Sequence, residues 1–145
     1  MLLVGYKNVS AQSIEALGLI DFGSVYRKYC NKNACGIPAF TDTGDTVSLN
    51  HKGIYHITAV ITYTVPTAGA VEFQLVENGI VIPGATTAVT AAVDTAYTSV
   101  LDYYVIVSCV PAINTITTGI KSISIQNTGV AVDISNVVLN ITKEV

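Results

Sequence analysis

Apolar and polar residues alternate along most of the chain after residue 45. In the stretch GIYHITAVITYTV, residues 53–65, Tyr55 and every second residue after it are apolar, whereas four of the even positions are His or Thr. A period of two residues places alternate side chains on opposite faces of a β-strand. Residues 53–65 therefore predict a strand with one face in a core. Residues 119–129 and 132–145 alternate in the same way and predict two more strands.

Residues 71–85, VEFQLVENGIVIPGA, predict a β-hairpin. Asn78 and Gly79 separate two apolar runs, and Asn-Gly suits a type I′ turn because both central residues take positive φ. Pro83 has no backbone N–H to donate to a neighbouring strand. We therefore expect the strand at residues 80–82 to be short, and to end at or lie on a sheet edge.

Residues 97–108, YTSVLDYYVIVS, are apolar on both faces of the predicted strand. In a small sandwich one face of a strand meets the core and the other usually meets solvent. The second apolar face therefore predicts contact with a partner subunit. We assign this interface to five residues of this strand and the strand at 53–65: Tyr55, Tyr97, Leu101, Tyr103 and Val105.

The first 45 residues have a less regular pattern. A short helix could begin at Ser10 or Ser13, or the segment could be an irregular strand, and we favour mostly strand from Leu17 to Arg27. The whole chain then holds about eight to ten short antiparallel strands with no βαβ unit. This arrangement predicts an all-β sandwich or jelly roll.

Composition supports a single all-β domain that assembles with copies of itself. The chain has 145 residues, of which 50% are hydrophobic and 12% are charged. A net charge of -3 with seven Lys and Arg gives no basic surface for nucleic acid or an anionic membrane. We find no apolar run long enough to enter a membrane and no secretory signal pattern. Many apolar residues with few charges predict burial against other subunits.

Candidate metal and redox chemistry rests on three cysteines. Cys30 and Cys35 are separated by four residues, and Cys109 is alone. The pair could form a small disulfide loop or remain free thiols, whereas a zinc site would lack a second cysteine pair. We expect Cys109 to be a small buried residue. We predict no metal site and no cofactor.

Catalytic residues are not indicated either. His51 and His56 lie outside recognisable motifs, and a nucleophile held near an oriented base cannot be assigned from two histidines. Asp42 and Asp45 form the closest acidic pair, but they lack the dense oxygen ligands of a calcium site. The tyrosines fall mainly on core positions, so packing is favoured over sugar stacking. We expect a protein that is not an enzyme.

Three segments together resemble the C1q/TNF-like jelly-roll family: TVSLNHKGIYHITAVITYTV, VEFQLVENGIVIPGA and SISIQNTGVAVDISNVVLNITKEV. The likeness to bacterial and phage members, including the C-terminal domains of collagen-like spore-surface glycoproteins, rests on Asn78, Gly79, Ile82, Pro83 and Gly84. It covers residues 17–145. The resemblance implies an obligate homotrimer with a ten-stranded jelly roll in each subunit.

The resemblance also implies a function, since small C1q-like proteins without a collagen stalk occur among phage structural proteins. We expect a virion protein assembled in the host cytoplasm: a trimeric head fibre or capsid decoration protein, or a tail adsorption tip. A bacterial spore or cell-surface adhesive trimer, or a module that binds a host-surface glycan, are the alternatives. Residues 1–16 would be an anchoring segment that attaches residues 17–145 to a capsid or other virion protein. Its anchoring residues would be Met1, Leu2, Leu3, Val4 and Tyr6.

Overall fold

The computed structural model describes residues 2–29, 38–108 and 120–144, and in these ranges the chain forms two antiparallel β-sheets. The strands are β1 (Leu2–Asn8), β2 (Gln12–Ile14), β3 (Ser24–Lys28), β4 (Phe40–Asp42), β5 (Val47–Leu49), β6 (Gly53–Thr64), β7 (Gly69–Glu77), β8 (Ile80–Ala91), β9 (Tyr97–Val107), β10 (Lys121–Asn127) and β11 (Val132–Lys143). One sheet has the order β3-β1-β11-β6-β9, with β2 also paired to β11. The other has the order β4-β5-β10-β7-β8.

The hydrophobic core lies between the two sheets. From Tyr55 onward, the odd residues of β6 are fully buried and the even ones are half-buried, as the alternation in the sequence predicts. The Tyr63 ring meets Phe73 of the other sheet edge to face, with centroids 5.3 Å apart, and its hydroxyl lies 2.9 Å from the Ser99 hydroxyl. Such aromatic pairs stabilise a core beyond the area that they bury.

The all-β sandwich predicted from the sequence is confirmed. The described residues form eleven strands rather than eight to ten, and β2, β4 and β5 contain only three residues each. Strands this short leave hardly any alternation to detect in a sequence.

The amino-terminal residues are part of the jelly roll. β1 pairs with β11 on one side and β3 on the other, and β2 pairs with β11. Leu3, Val4 and Tyr6 are at most 4% exposed, and the Tyr6 ring lies 6.4 Å from both Phe22 and Phe40. We predicted a domain boundary between residues 16 and 17. This boundary is wrong, because β1 is an interior strand of the sheet, between β3 and β11.

The same burial corrects the anchoring prediction. Side chains that pack in the protein's own core cannot also bind the surface of a particle. Leu3, Val4 and Tyr6 are buried in the core in this way, so the prediction that they anchor the protein to a particle is wrong. Leu2 begins β1, and Met1 lies outside the described residues.

The turn between β7 and β8 has the backbone conformation of a type I′ hairpin. Asn78 has φ 52° and Gly79 has φ 79°. The Asn78 backbone N–H donates to the Ser122 carbonyl at 2.9 Å, and its side-chain oxygen accepts from the Ser122 N–H at 2.8 Å. Asn78 therefore both forms the turn and fastens the hairpin tip to the start of β10.

Pro83 does not end the strand, contrary to our expectation. β8 continues through it to Ala91 and lies at the edge of its sheet, as we expected for a strand with a proline. The register with β7 shifts between Val76↔Val81 and Gln74↔Thr86, so Pro83 and Gly84 fall in a bulge. A bulge can contain a proline, which has no backbone N–H, because bulge residues do not take part in the hydrogen bonds between the two strands.

Residues 15–23 are irregular rather than a strand, apart from a single bridge between Leu19 and Gln126. Leu17 has a positive φ of 68°, which a regular strand cannot contain. The fully buried Asn127 holds this segment against β10: its backbone carbonyl accepts from the Leu17 N–H at 2.6 Å, and its side chain donates to the Ile14 carbonyl at 3.2 Å. The regular strand that follows begins only at Ser24.

Candidate subunit interface

The six-stranded sheet presents to the outside a surface that contains several large apolar side chains. We define the outer face as the even-numbered residues of β6 and β9, which point away from the core. The register pairs them across the two strands as Ile54–Ile106, His56–Tyr104, Thr58–Asp102, Val60–Val100 and Thr62–Thr98. Three apolar residues of β9 are strongly exposed: Val100 at 52%, Tyr104 at 54% and Ile106 at 59%. An exposed strand face of this kind is typical of a surface that another molecule covers.

The apolar character continues onto β11, next to β6. Val138 is opposite Val60, which is opposite Val100, so three valines form a row across three strands. Farther across the sheet, the Tyr26 ring lies against Gly5, whose missing side chain leaves room for it, and the Tyr26 hydroxyl donates to Asn140 at 2.6 Å. The outer face therefore belongs to a broad sheet surface with apolar rows.

His56 and Asp102 form the polar centre of the outer face. The His56 Nε2 lies 2.5 Å from the Asp102 Oδ1, a diagonal contact between neighbouring strands. The Tyr104 ring stacks on the imidazole with centroids 4.5 Å apart and an interplanar angle of 12°. The side chains of His56 and Asp102 are 26% and 57% exposed, so both still contact solvent in the single chain.

Most of the interface residues predicted from the sequence lie on the opposite face. Tyr55, Leu101 and Val105 are at most 4% exposed and belong to the core, and Tyr97 and Tyr103 are half-buried against it. The assignment is therefore wrong for Tyr55, Leu101 and Val105, although the second apolar face of the strand does exist. Asp102 was the signal that could have decided the question, because a face that carries a carboxylate is seldom the core face.

The remaining candidate polar residues have structural partners. Asp42 accepts a hydrogen bond from the Tyr6 hydroxyl at 3.0 Å, and Asp45 accepts one from the Thr46 hydroxyl at 3.0 Å. The His51 carbonyl accepts from the Tyr55 hydroxyl at 2.6 Å. Cys30, Cys35 and Cys109 lie outside the described residues.

In the described residues, no three His, Cys, Asp or Glu side chains come together in a group that could hold a metal ion. The same part of the chain contains no helix long and apolar enough to cross a membrane.

Two buried tyrosines have raised pKa values. Burial raises the pKa of Tyr55 from 10.0 to about 12. Burial also raises the pKa of Tyr6 well above its ordinary value, and the hydrogen bond to Asp42 and the negative charge of that carboxylate raise it further. In both cases the folded protein favours the neutral phenol.

These shifts predict loss of stability in alkali. A group whose folded pKa is raised contributes fully below its unfolded pKa, and that contribution is lost as the pH rises through the folded pKa. We expect the free energy of unfolding in urea to fall as the pH rises from 10.0 to about 12, the window set by Tyr55. In Tyr55→Phe this fall should be shallower, on top of a pH-independent loss from the missing hydrogen bond to His51. A wild-type stability that stays level across this window would contradict the prediction.

Comparison with known proteins identifies the fold. No family model and no curated protein matches the chain. Among solved structures, the globular domain of zebrafish complement 1qA protein aligns over 100% of this chain and 98% of its own, with a TM-score of 0.65 and 8% identity. Murine APRIL aligns over 97% of this chain and 98% of its own, with a TM-score of 0.63 and 10% identity.

A third solved structure comes from a phage. The PRD1 vertex protein P5 aligns over 97% of this chain and 93% of its own, with a TM-score of 0.55 and 18% identity. Its alignment, like those of the other two proteins, covers nearly the whole of both chains. The protein described here therefore has a C1q/TNF-like jelly-roll fold.

Proposed function

We propose that the protein is a homotrimeric, non-enzymatic structural protein of a virion, acting as a head fibre or capsid decoration protein. The exposed apolar outer face of β6 and β9 is the observation that carries the proposal. A single chain gains nothing by keeping Val100, Tyr104 and Ile106 in water, and each such side chain contributes roughly 1.5–3 kcal/mol when fully buried. A second copy of the chain is the partner that would cover this face.

The fold supports a closed trimer as the form of the assembly. The C1q/TNF-like jelly roll that the sequence resembles implies an obligate trimer, and the structure has this fold across its full described length. In a ring of identical subunits, each outer face would be covered by a neighbour. The interface should then bury more than about 1,200 Å² in total, as stable protein interfaces do.

The virion assignment is supported by the likeness to the PRD1 vertex protein P5, at a TM-score of 0.55. Composition gives no reason to place the protein on nucleic acid, since the chain has seven Lys and Arg against ten Asp and Glu. The protein would therefore act on the outside of a particle and not on the packaged genome.

Labelling of particles tests the virion assignment. Antibodies raised against the recombinant protein and coupled to gold should label the surface of purified phage particles from the source culture. Labelling of cell or spore surfaces, with unlabelled particles, would overturn the virion assignment and favour the adhesive trimer. A glycan array probed with the recombinant trimer should stay blank; a strong signal would favour the glycan-binding alternative.

A further inference from the structure

The His56–Asp102 pair lies in the middle of the surface that the proposed trimer would cover. Asp102 is the one carboxylate and His56 the one imidazole among the outer-face residues of β6 and β9, both of which the structure describes in full. The 2.5 Å contact and the stacked Tyr104 ring hold the imidazole in one orientation beside the carboxylate. No rearrangement is therefore needed for the pair to share a proton.

The charged residues near the imidazole come from two strands, Asp102 on β9 and, just beyond Thr142 in the register with β11, Lys143 and Glu144, whose backbone N–H donates to the Ile54 carbonyl at 2.8 Å. On β9 the imidazole faces Asp102 and Tyr104, and across β11 it is opposite Thr142. The neighbouring outer-face positions on its own strand are Ile54 and Thr58. Lys143, the nearest cation along β11, has its Nζ 5.9 Å from the centroid of the core residue Tyr55. Asp102 is therefore the carboxylate in direct contact with the imidazole, and Glu144 is a second carboxylate at the end of β11 that variants of the His56–Asp102 pair leave in place.

Covering this face changes the electrostatic balance of the pair. In the single chain, water solvates the exposed carboxylate whether or not the imidazole is protonated. When a second copy displaces that water, a neutral imidazole leaves one uncompensated negative charge in each interface, whereas an imidazolium neutralises it. Histidine is the side chain whose charge ordinarily changes between pH 5 and 8.

We propose that assembly through the outer face takes up a proton at His56, so that the trimer is tighter in mildly acidic than in mildly alkaline solution. This inference rests on the proposed trimer. Since the assembled state binds the additional proton, its advantage is present at low pH and is lost as the pH rises. The pair acts as a pH-sensitive contact within the interface.

General charge repulsion changes with pH in the same direction. The chain carries a net charge of -3 at pH 7, so acidification also reduces repulsion between subunits. Variants of the pair separate the two effects because they leave all the other carboxylates in place. His56→Gln keeps a hydrogen-bond donor but cannot be protonated, whereas Asp102→Asn keeps the acceptor but removes the charge.

Sedimentation equilibrium at about pH 5.5 and about pH 8 tests the proposal, since this interval spans the ordinary titration of histidine. For the wild type, the concentration at which the trimer dissociates should be at least about tenfold higher at the alkaline pH. His56→Gln should be weak at both pH values. Asp102→Asn should be tight at the alkaline pH and no tighter at the acidic one, because its imidazolium would have no carboxylate to neutralise. His51→Gln, a control that changes the histidine preceding β6, should keep the wild-type dependence.

The outcomes separate this inference from the proposed function. A wild type that is monomeric at both pH values would contradict the trimer itself. A trimer whose pH dependence is the same in the wild type, His56→Gln and Asp102→Asn would leave the trimer standing and overturn the role of the pair. Far-UV circular dichroism of each variant establishes that the chain remains folded, so that weak assembly is not mistaken for unfolding.

Discussion

Val100→Asp should convert the trimer into a folded monomer. Val100 is 52% exposed in the single chain and lies in the valine row of the outer face, between Thr98 and Asp102 on the same strand. In the assembly this substitution would bury a carboxylate without a cationic partner, and the effective cost is several kcal/mol per ion. Each of three interfaces would carry that cost. Sedimentation at micromolar concentration should give one subunit for the variant and three for the wild type.

The control for this experiment is Val9→Asp. Val9 is 67% exposed and lies in the loop after β1, so it is not one of the outer-face residues of β6 and β9. The Val9→Asp substitution introduces the same charge at an exposed valine, so the variant should remain a trimer with wild-type thermal stability. If Val100→Asp stays trimeric while Val9→Asp dissociates, the subunit contact is on another part of the surface. Circular dichroism should show an unchanged strand spectrum for both variants.

Removal of residues 2–8 should unfold the protein rather than release it from a particle. The deletion takes away β1, which hydrogen-bonds to β3 and β11, and empties the core positions of Leu3, Val4 and Tyr6. Burial of three such side chains contributes roughly 4.5–9 kcal/mol, which is comparable to the whole stability of a typical domain. Recombinant protein without these residues should be aggregated or lack a cooperative thermal transition.

A point substitution tests the same role of β1 without shortening the chain. Tyr6→Ala removes an aromatic ring from the core between Phe22 and Phe40 and should cost about 3–5 kcal/mol in urea unfolding. Val9→Ala, just beyond β1 and exposed, should change stability by less than about 0.5 kcal/mol. A soluble, cooperatively folding deletion variant that no longer attached to particles would contradict this prediction and restore the anchoring role of the segment.

The alternation of residues determined much of the architecture without any knowledge of tertiary structure. The pattern of residues 53–65 marks β6 and its core face, because a period of two can bury only alternate side chains. Asn78 and Gly79 are the residues that a two-residue turn with positive φ requires, and the turn lies at these positions. Composition likewise indicated an all-β chain with apolar surface available for assembly.

Three features depended on tertiary structure, each for a physical reason. A period of two divides β9 into two faces but does not say which one meets the core, and here the register with β6 places Leu101 and Val105 inside and Val100 outside. On β1 a register shift between Leu2 and Val4 buries the adjacent residues Leu3 and Val4 and so interrupts the alternation. At Pro83 the chain continues as one strand because the bulge against β7 removes the need for an N–H donor. Local pattern determined the long strands β6, β7, β9, β10 and β11, whereas pairing between distant strands decided which of their faces remained available for a partner.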